Sequence, residues 1–477
     1  MYNDTTRMIY PELIQSHPTF AYTSQSWELT PAGLVLTFNY SLAPNIAFKH
    51  TITVADVTPQ QLNQLPPEEL ERYVATIGLA EMLSYWKLAA SPTIHIAACS
   101  LDQTQMDWWK KLLLKGMGEY FFVNQLPFTQ PDFVTITTNQ LQESQTLKHP
   151  RSQESSQFKV LVPLGGGKDS AVTLELLKQQ AEVVVGTLMV NELPSAHAVA
   201  SASGISTNQI VTRSFDPQLL ELNTQGYLNG HVPVSASIAS IGILVARLFG
   251  YTHVAIANER SSNEGNTSYL GEVINHQYSK TFEFESDFAA YSATYLPQDA
   301  PHYFSFLRPI YELQIASIFA LFPQYHGVFR SCNKGQKTNT WCGVCPKCLF
   351  AYCILVPFLG WEETARHFGT DMFSNAELFP LAEELLGANP QKPFECVGTR
   401  EETTIALYLC VKKYQAENQP LPPLLQAIQT EILAVEPDLD QRTQALFDSW
   451  NTEHLIPSLF TDSLERAYER ARTTFSI

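Results

Sequence analysis

The sequence contains no run of about eighteen uncharged apolar residues, the length that a transmembrane helix needs, so nothing in it should span a membrane. Residues 1–7 lack the charged and apolar regions of a secretory signal, and we therefore expect a cytoplasmic protein. Basic residues are few: 30 Lys and Arg stand against 47 Asp and Glu, which gives a net charge of −17. This balance argues against a broad nucleic-acid-binding surface, although a local pocket for a small anion is still compatible with it.

A chain of 477 residues is too long for one ordinary hydrophobic core, and its pattern divides it into three regions. Residues 1–157 mix strand-like and helical segments and end in a linker, 138–157, so they predict an α+β domain. Residues 158–370 alternate strands and helices, which predicts an open, mostly parallel α/β sheet that binds ligands at the carboxyl ends of its strands. Residues 371–477 have a helical pattern throughout. We find neither an internal repeat nor a low-complexity tract.

Three consecutive glycines begin the most informative motif of the chain. The motif consists of Gly165, Gly166, Gly167, Lys168, Asp169 and Ser170. It follows a mostly apolar run that is typical of a buried strand, and Asp169 and Ser170 stand where the N-cap of a helix would lie. Glycine lets backbone N–H groups converge on an anion, and the helix dipole adds to the attraction, so the motif predicts a phosphate-binding loop. The alternative is a glycine-rich turn that binds no ligand.

The motif is not a Walker A loop. That loop needs a glycine six residues before its lysine and Ser or Thr directly after it, and here those positions hold Val162 and Asp169.

The eight cysteines are not distributed like a disulfide framework. Half of them form one cluster, which consists of Cys332, Cys342, Cys345 and Cys348. Two Cys-x-x-Cys steps that share Cys345, together with one upstream cysteine, suit a tetrahedral thiolate site for zinc. The alternatives are reduced thiols in a loop and redox chemistry. The remaining cysteines are scattered, and we interpret them as core residues: Cys99, Cys353, Cys396 and Cys410.

Polar side chains directly follow the predicted strand 253–257. In a parallel sheet this loop should lie beside the phosphate-binding loop, because both leave the carboxyl ends of strands. Glu259 and Glu264 are candidate magnesium ligands, and Arg260 is a candidate partner for a carboxylate or phosphate. The alternative is a solvated turn.

Two further segments carry candidate catalytic residues. His276, Tyr278 and Lys280 would share one face if their segment is extended, and that face could transfer protons or bind an anion. A surface strand explains the same pattern equally well. Arg308 precedes an apolar helix and is a candidate clamp for a carboxylate or phosphate, whereas Glu312 would favour the dipole of that helix.

These motifs carry a resemblance to known families. The 165–170 loop resembles the pyrophosphate-binding loop of the PP-loop ATP pyrophosphatases, Ser-Gly-Gly-x-Asp-Ser, with Gly165 in place of the first serine. Together with segments 258–266, 275–280, 308–312, 329–333 and 341–348, in this order, it resembles the UDP-N-acetylmuramoyl-L-alanyl-L-glutamate epimerase family of peptidoglycan synthesis. The resemblance is dense in the middle region and loose in the outer regions.

The resemblance implies a function and a set of roles. It implies a PP-loop fold and an ATP-dependent conversion of the terminal L-glutamate of UDP-N-acetylmuramoyl-L-Ala-L-Glu to D-glutamate, through an acyl-adenylate, with release of AMP and pyrophosphate. The 165–170 loop would hold pyrophosphate, Asp169 with Glu259 or Glu264 would hold magnesium, and Arg308 would bind a substrate carboxylate. His276, Tyr278 or Lys280 would handle the proton, and the N-terminal region would help to bind the UDP-sugar.

Other functions stay open at this point. A deazaguanine-forming or RNA-modifying ATP pyrophosphatase shares the loop and the cysteine cluster, but an RNA-binding version should carry a basic face that the composition disfavours. An epimerase of another peptide and a non-catalytic nucleotide sensor are further alternatives. The oligomeric state cannot be read from the sequence.

Overall fold

The structure is a computed structural model that describes residues 8–139, 158–388 and 391–477. Residues 140–157 of the predicted linker lie outside the described residues. The strands are β1 (Thr19–Thr30), β2 (Gly33–Leu42), β3 (Ile46–Val54), β4 (Thr93–Ile96), β5 (Thr135–Thr138), β6 (Phe158–Pro163), β7 (Val183–Val190), β8 (Asn208–Ser214), β9 (His253–Glu259), β10 (Thr267–Tyr269), β11 (Glu272–Ile274) and β12 (His302–Leu307).

The first half of the chain supplies the helices α1 (Tyr10–Ser16), α2 (Pro59–Asn63), α3 (Pro67–Glu81), α4 (Leu83–Trp86), α5 (Gln103–Gly116), α6 (Gly118–Asn124), α7 (Lys168–Lys178), α8 (Pro194–Ser203), α9 (Gln218–Thr224) and α10 (Val234–Phe249). The second half supplies α11 (Phe282–Tyr295), α12 (Glu312–Phe319), α13 (Pro323–His326), α14 (Pro346–Leu359), α15 (Trp361–Phe368), α16 (Phe379–Leu386), α17 (Arg400–Ala416), α18 (Pro423–Glu431), α19 (Leu439–Phe447) and α20 (Ser458–Phe475). Short 3-10 helices cover Arg260–Asn263, Tyr278–Lys280, Met372–Ser374, Ala376–Leu378 and Leu433–Val435.

One ten-stranded sheet joins the first two regions of the chain, in the order β12-β9-β6-β7-β8-β3-β2-β1-β4-β5. The strands from β12 to β8 are all parallel, whereas β8, β3, β2 and β1 pair antiparallel. The predicted mixed α/β architecture with a mostly parallel sheet and a helical C-terminal region is therefore confirmed. Because the parallel strands share one direction, their carboxyl ends meet at one edge.

The sheet separates two hydrophobic cores. Successive residues of a strand point to opposite faces. In β6, Leu161 accordingly joins the core that contains α3 and α10, whereas Val160 and Val162 join the core that contains α7, α12 and the C-terminal helices. The parallel strands are thus buried on both faces, which explains their nearly continuous apolar sequences. Within the described residues, no helix is both long and apolar enough to cross a bilayer.

A buried ion pair lies where the antiparallel strands meet the parallel ones. Arg213 on β8 donates from Nε and Nη2 to the Glu81 carboxylate at distances of 2.9 and 2.6 Å. The Glu81 side chain is fully buried, and the His50 ring of β3 lies 3.4 Å away. Burial lowers the pKa of His50 to about 4, so Arg213 is the cation that balances the Glu81 carboxylate at neutral pH.

We predict that Arg213→Met will destabilise the protein by about 3 kcal/mol, because it leaves the Glu81 carboxylate buried without a cation. The matched control is Lys412→Met, since the pair between Lys412 and Asp440 lies on the surface and should matter much less. Urea unfolding followed by circular dichroism measures both free energies. Equal effects of the two substitutions would contradict the prediction.

Candidate active site at the carboxyl ends of the parallel strands

The predicted phosphate-binding loop joins β6 to α7. Helix α7 begins at Lys168 with Gly167 at the N-cap, so the prediction of an N-cap at Asp169 or Ser170 is wrong by two or three residues. The physical reason is that Ser170 is used inside the first turn, where its Oγ donates to the Gly167 carbonyl at 3.0 Å. Asp169 lies in the same turn, where a carboxylate interacts favourably with the helix dipole. The loop still leads directly into the N-terminus of α7, and a helix N-terminus is the feature that an anion site needs.

Only one of the three glycines is fixed by its immediate surroundings. Gly166 has a φ of +83°, and a Cβ there would lie 2.3 Å from Ser195 Oγ. Its carbonyl accepts a 2.8 Å hydrogen bond from the Arg330 backbone N–H. Gly165 has no atom within 4 Å of its Cβ position. The loop is therefore held between Ser195 and Arg330, with its open side at Gly165.

A cavity of about 440 Å³ opens at the carboxyl ends of β6, β7 and β9, and the loop lines it. Its ionisable lining residues are Lys168, Asp169, Lys280, Glu312, Arg330, Cys332, Lys347 and Cys396. Four of these are cations and two are carboxylates, so a chain with a net charge of −17 presents a locally basic cavity. Such a cavity favours an anionic ligand.

Lys168 is buried between two carboxylates. Its ammonium forms ion pairs with Asp169 and with Glu312, the first residue of α12. Burial alone would lower the pKa of Lys168, but the two carboxylates outweigh it and raise that pKa. Burial and the neighbouring Asp169 raise the pKa of Glu312 well above its ordinary value. Glu312, for which only a dipole role was expected, is therefore part of the site.

Glu259 is buried at the end of β9, next to the cavity. Burial raises its pKa, the nearby Lys280 opposes this shift, and the charge of Asp169 adds to it. Glu259, Asp169 and Glu312 thus stand close enough to influence one another electrostatically. Carboxylate oxygens in such a group are the ligands that magnesium prefers.

Arg308 lies beneath the cavity and not in its lining. Its side chain is fully buried and donates to the Glu285 carboxylate at 2.9 Å and to the Glu259 carbonyl at 2.6 Å. It also donates to the Lys280 carbonyl. The expected role as a substrate clamp therefore has no geometric support, because these donors hold the backbone of the site.

The remaining predicted residues divide between the site and its surroundings. Glu264 pairs with Lys392 at 3.0 Å and accepts from the Arg400 N–H, so it stands outside the cavity lining. His276, Tyr278 and Lys280 would share one face only in an extended segment, and the segment is not extended, because Tyr278–Lys280 form a 3-10 helix. Lys280 therefore lines the cavity, whereas Tyr278 interacts with Glu283 and does not belong to the lining.

Cys396 is the lining residue that the sequence interpretation missed. It is half-buried and lines the cavity, so its interpretation as a core residue is wrong. Cys353 and Cys410 are core residues as expected, and Cys99 is half-buried against the first core. His276 bonds Glu119 of α6 through Nδ1, and it lies close enough to Cys396 for each side chain to shift the pKa of the other. Burial opposes the positive charge of His276, but Cys396 and Glu119 raise its pKa to about 9. No spacing rule links residues 119, 276 and 396, so only the fold brings them together.

The cysteine cluster adjoins the cavity, which one of its four members, Cys332, lines. The Sγ–Sγ distances are 3.4 Å for Cys345 and Cys348, 3.7 Å for Cys342 and Cys348, and 4.0 Å for Cys332 and Cys345. Tetrahedral zinc with Zn–S bonds of about 2.3 Å places sulfur atoms about 3.8 Å apart, so the four thiols fit this ion. Lys347 sits between two of the cysteines at the start of α14 and lines the cavity.

We predict that the protein purifies with one zinc ion per chain and that Cys348→Ser removes it, because three thiolates bind zinc less tightly than four. Cys353→Ser, on the same helix but outside the cluster, is the control and should keep the metal. Elemental analysis after purification without chelators measures the zinc content. Wild-type protein free of zinc, or full zinc content in Cys348→Ser, would refute the assignment.

Comparison with known proteins places the chain in a family. The model for the MurL N-terminal domain matches residues 14–306, and the model for the MurL C-terminal domain matches residues 328–440. The cavity is lined from both matched regions.

Three curated relatives carry the name UDP-N-acetyl-alpha-D-muramoyl-L-alanyl-L-glutamate epimerase. The relative from Micromonospora sp. is 33% identical over 84% of this chain and 89% of its own length. The relative from Salinispora tropica is 34% identical over 83% of this chain and 86% of its own length. The relative from Xanthomonas oryzae pv. oryzae is 29% identical over 96% of this chain and 98% of its own length. The chain therefore belongs to the MurL family, the UDP-N-acetyl-alpha-D-muramoyl-L-alanyl-L-glutamate epimerases.

Proposed function

We propose that this protein is an ATP-dependent epimerase in peptidoglycan synthesis. It converts the terminal L-glutamate of UDP-N-acetylmuramoyl-L-Ala-L-Glu to D-glutamate through an acyl-adenylate and releases AMP and pyrophosphate. The names of the curated relatives support the substrate and the epimerisation. The observation that carries the ATP dependence is the basic cavity, in which a glycine loop and a helix N-terminus meet titratable side chains.

The chemistry explains why an epimerase would need ATP. The α-proton beside an ionised carboxylate is very weakly acidic, because its removal puts a second negative charge next to the first. Adenylation removes the charge of the carboxylate and makes its carbonyl electron-withdrawing. A side-chain base can then take the proton, and its return to the other face inverts the centre. Hydrolysis of the acyl-adenylate gives back the free acid.

The lining residues supply the groups that this reaction needs. The N–H groups at the start of α7 and the Lys168 ammonium bind the leaving pyrophosphate. Asp169, Glu259 and Glu312 would hold a magnesium ion, which would neutralise phosphate charge. Lys280 lines the same cavity and interacts electrostatically with Glu259, and we assign it to proton transfer. In this proposal, phosphate and magnesium replace the ion pairs that Lys168 makes within the protein.

The N-terminal region contributes Glu119 beside His276, and we assign the UDP-sugar end to this side of the cavity. A rival epimerase of another peptide would accept free L-Ala-L-Glu as readily as the nucleotide-linked dipeptide. A rival deazaguanine-forming or RNA-modifying synthase would release pyrophosphate only with its own acceptor.

We predict that the protein with ATP, magnesium and UDP-N-acetylmuramoyl-L-Ala-L-Glu forms AMP and D-glutamate in equal amounts. Asp169→Asn should lower both products by about 10²-fold or more, because it removes a magnesium ligand from the phosphate site. Chiral chromatography after acid hydrolysis and a pyrophosphate assay measure the two products. Absence of AMP with this substrate, or full activity of Asp169→Asn, would overturn the proposal.

We further predict that two neighbouring glycines respond differently to substitution. Gly166→Ala should abolish ATP binding, because a Cβ at φ +83° collides with Ser195 and distorts the loop. Gly165→Ala is the matched control and should bind ATP within about threefold of wild type, since its Cβ position is open and the PP-loop pattern has serine there. Calorimetric titration with ATP and magnesium compares them. Equal loss in both variants would contradict the loop geometry.

A further inference from the structure

We propose that Cys396 takes the α-proton of the adenylated glutamate, with His276 and Glu119 as its positioning residues. The inference rests on the proposed function and adds to it the identity of one proton-transfer group. The sequence interpretation assigned this task to His276, Tyr278 or Lys280, and only the fold brings Cys396 to the same place.

The position of Cys396 fits this task. The residue lines the same cavity as Asp169 and Lys280, so it stands beside the place proposed for the activated carboxylate. Among the cysteines of the described residues, only Cys332 and Cys396 line this cavity, and Cys332 belongs to the zinc cluster. Cys396 is therefore the cavity thiol that is available for chemistry.

The surroundings of Cys396 are those of an activated nucleophile or base. His276 interacts electrostatically with Cys396 and bonds the Glu119 carboxylate through Nδ1, so an imidazole lies between the thiol and a carboxylate. Burial raises the pKa of the Cys396 thiol, but Lys280, Lys347 and His276 outweigh it and hold that pKa well below its ordinary value. A thiol in such surroundings is oriented and ionised before the substrate binds.

Asn266 connects the backbone segment that carries Cys396 to the backbone of His276. Its Nδ2 donates to the Pro393 carbonyl at 2.7 Å, three residues before Cys396. Its Oδ1 accepts from the His276 backbone N–H at 2.8 Å. The Lys392 backbone N–H also donates to the Asn266 carbonyl at 2.8 Å. One buried amide therefore fixes the distance between the thiol loop and the imidazole.

The proton balance of the step is complete within the cavity. The Cα–H bond breaks, the proton forms an S–H bond with the Cys396 thiolate, and the electron pair moves into the adenylated carbonyl. The Lys280 ammonium gives a proton to the opposite face of Cα and becomes a neutral amine. After the product has left the cavity, the proton on Cys396 passes to that amine, which restores the thiolate and the ammonium without a further reactant.

The first test compares proton transfer with adenylation in Cys396→Ser. Serine is too weak an acid to serve as this base, so glutamate inversion should fall by about 10³-fold, far more than single-turnover release of pyrophosphate from ATP. The control is Cys99→Ser, because Cys99 is half-buried and lies outside the cavity. This variant should match wild type in glutamate inversion and in pyrophosphate release. Thermal unfolding of both variants shows whether they are folded.

The second test is independent of turnover. Iodoacetamide should alkylate Cys396 at pH 7 much faster than Cys99, and His276→Gln should slow this alkylation by about tenfold, because a neighbouring cation favours the thiolate. Peptide mass spectrometry gives the rate at each cysteine of the intact protein.

The outcomes are distinguishable. Pyrophosphate release without inversion in Cys396→Ser, with fast alkylation in wild type, supports the inference. Inversion at the wild-type rate in Cys396→Ser, or slow alkylation of Cys396, overturns it and leaves the proposed function intact. Failure of wild-type protein to form AMP overturns both.

Discussion

The geometry of the site depends on the buried guanidinium of Arg308. Its donors bind the Glu285 carboxylate, the carbonyls of Glu259 and Lys280, and the hydroxyls of Ser262 and Ser305. The end of β9, the start of α11 and the end of β12 are thereby held at one distance from each other. A buried guanidinium is costly unless all of its donors are paired, and here the pairing also satisfies carbonyls that leave the sheet. The side chains of Glu259 and Lys280 are consequently placed by their backbone before any ligand arrives.

The backbone positions that Arg308 fixes bring opposite charges close together in a basic cavity. Lys168 is buried with Asp169 and Glu312 as partners, while Lys280 lies between Glu259 and Cys396. Each cation thus has protein partners that a phosphate and a metal can take over, so charge balance is kept when the ligand binds. Cys396 has a similar environment, because Lys280, Lys347 and His276 outweigh burial and lower the pKa of its thiol. Acyl activation and proton transfer would then occur in one cavity without exposing an unpaired charge.

Local sequence was sufficient for much of the fold and for part of the site. Apolar runs identified β6 and β9, and the glycine motif located the loop, because both signals lie within a few residues. The helix start was misplaced, since Ser170 was judged as a cap from its residue type alone. Arg308, Glu312 and Cys396 were misassigned because their surroundings depend on residues 23 to 144 positions away: Glu285 for Arg308, Lys168 for Glu312, and His276 for Cys396. Pairing between β3 and β8, which makes one sheet of two regions, is likewise a long-range contact.

The central claim is that adenylation must precede loss of the α-proton. The most direct measurement is solvent deuterium incorporation at the glutamate α-carbon, followed by mass spectrometry, with UDP-N-acetylmuramoyl-L-Ala-L-Glu and magnesium. The account predicts incorporation with ATP and none with α,β-methylene-ATP, which binds but cannot transfer AMP with release of pyrophosphate. Incorporation without ATP, or with the analogue, would contradict it.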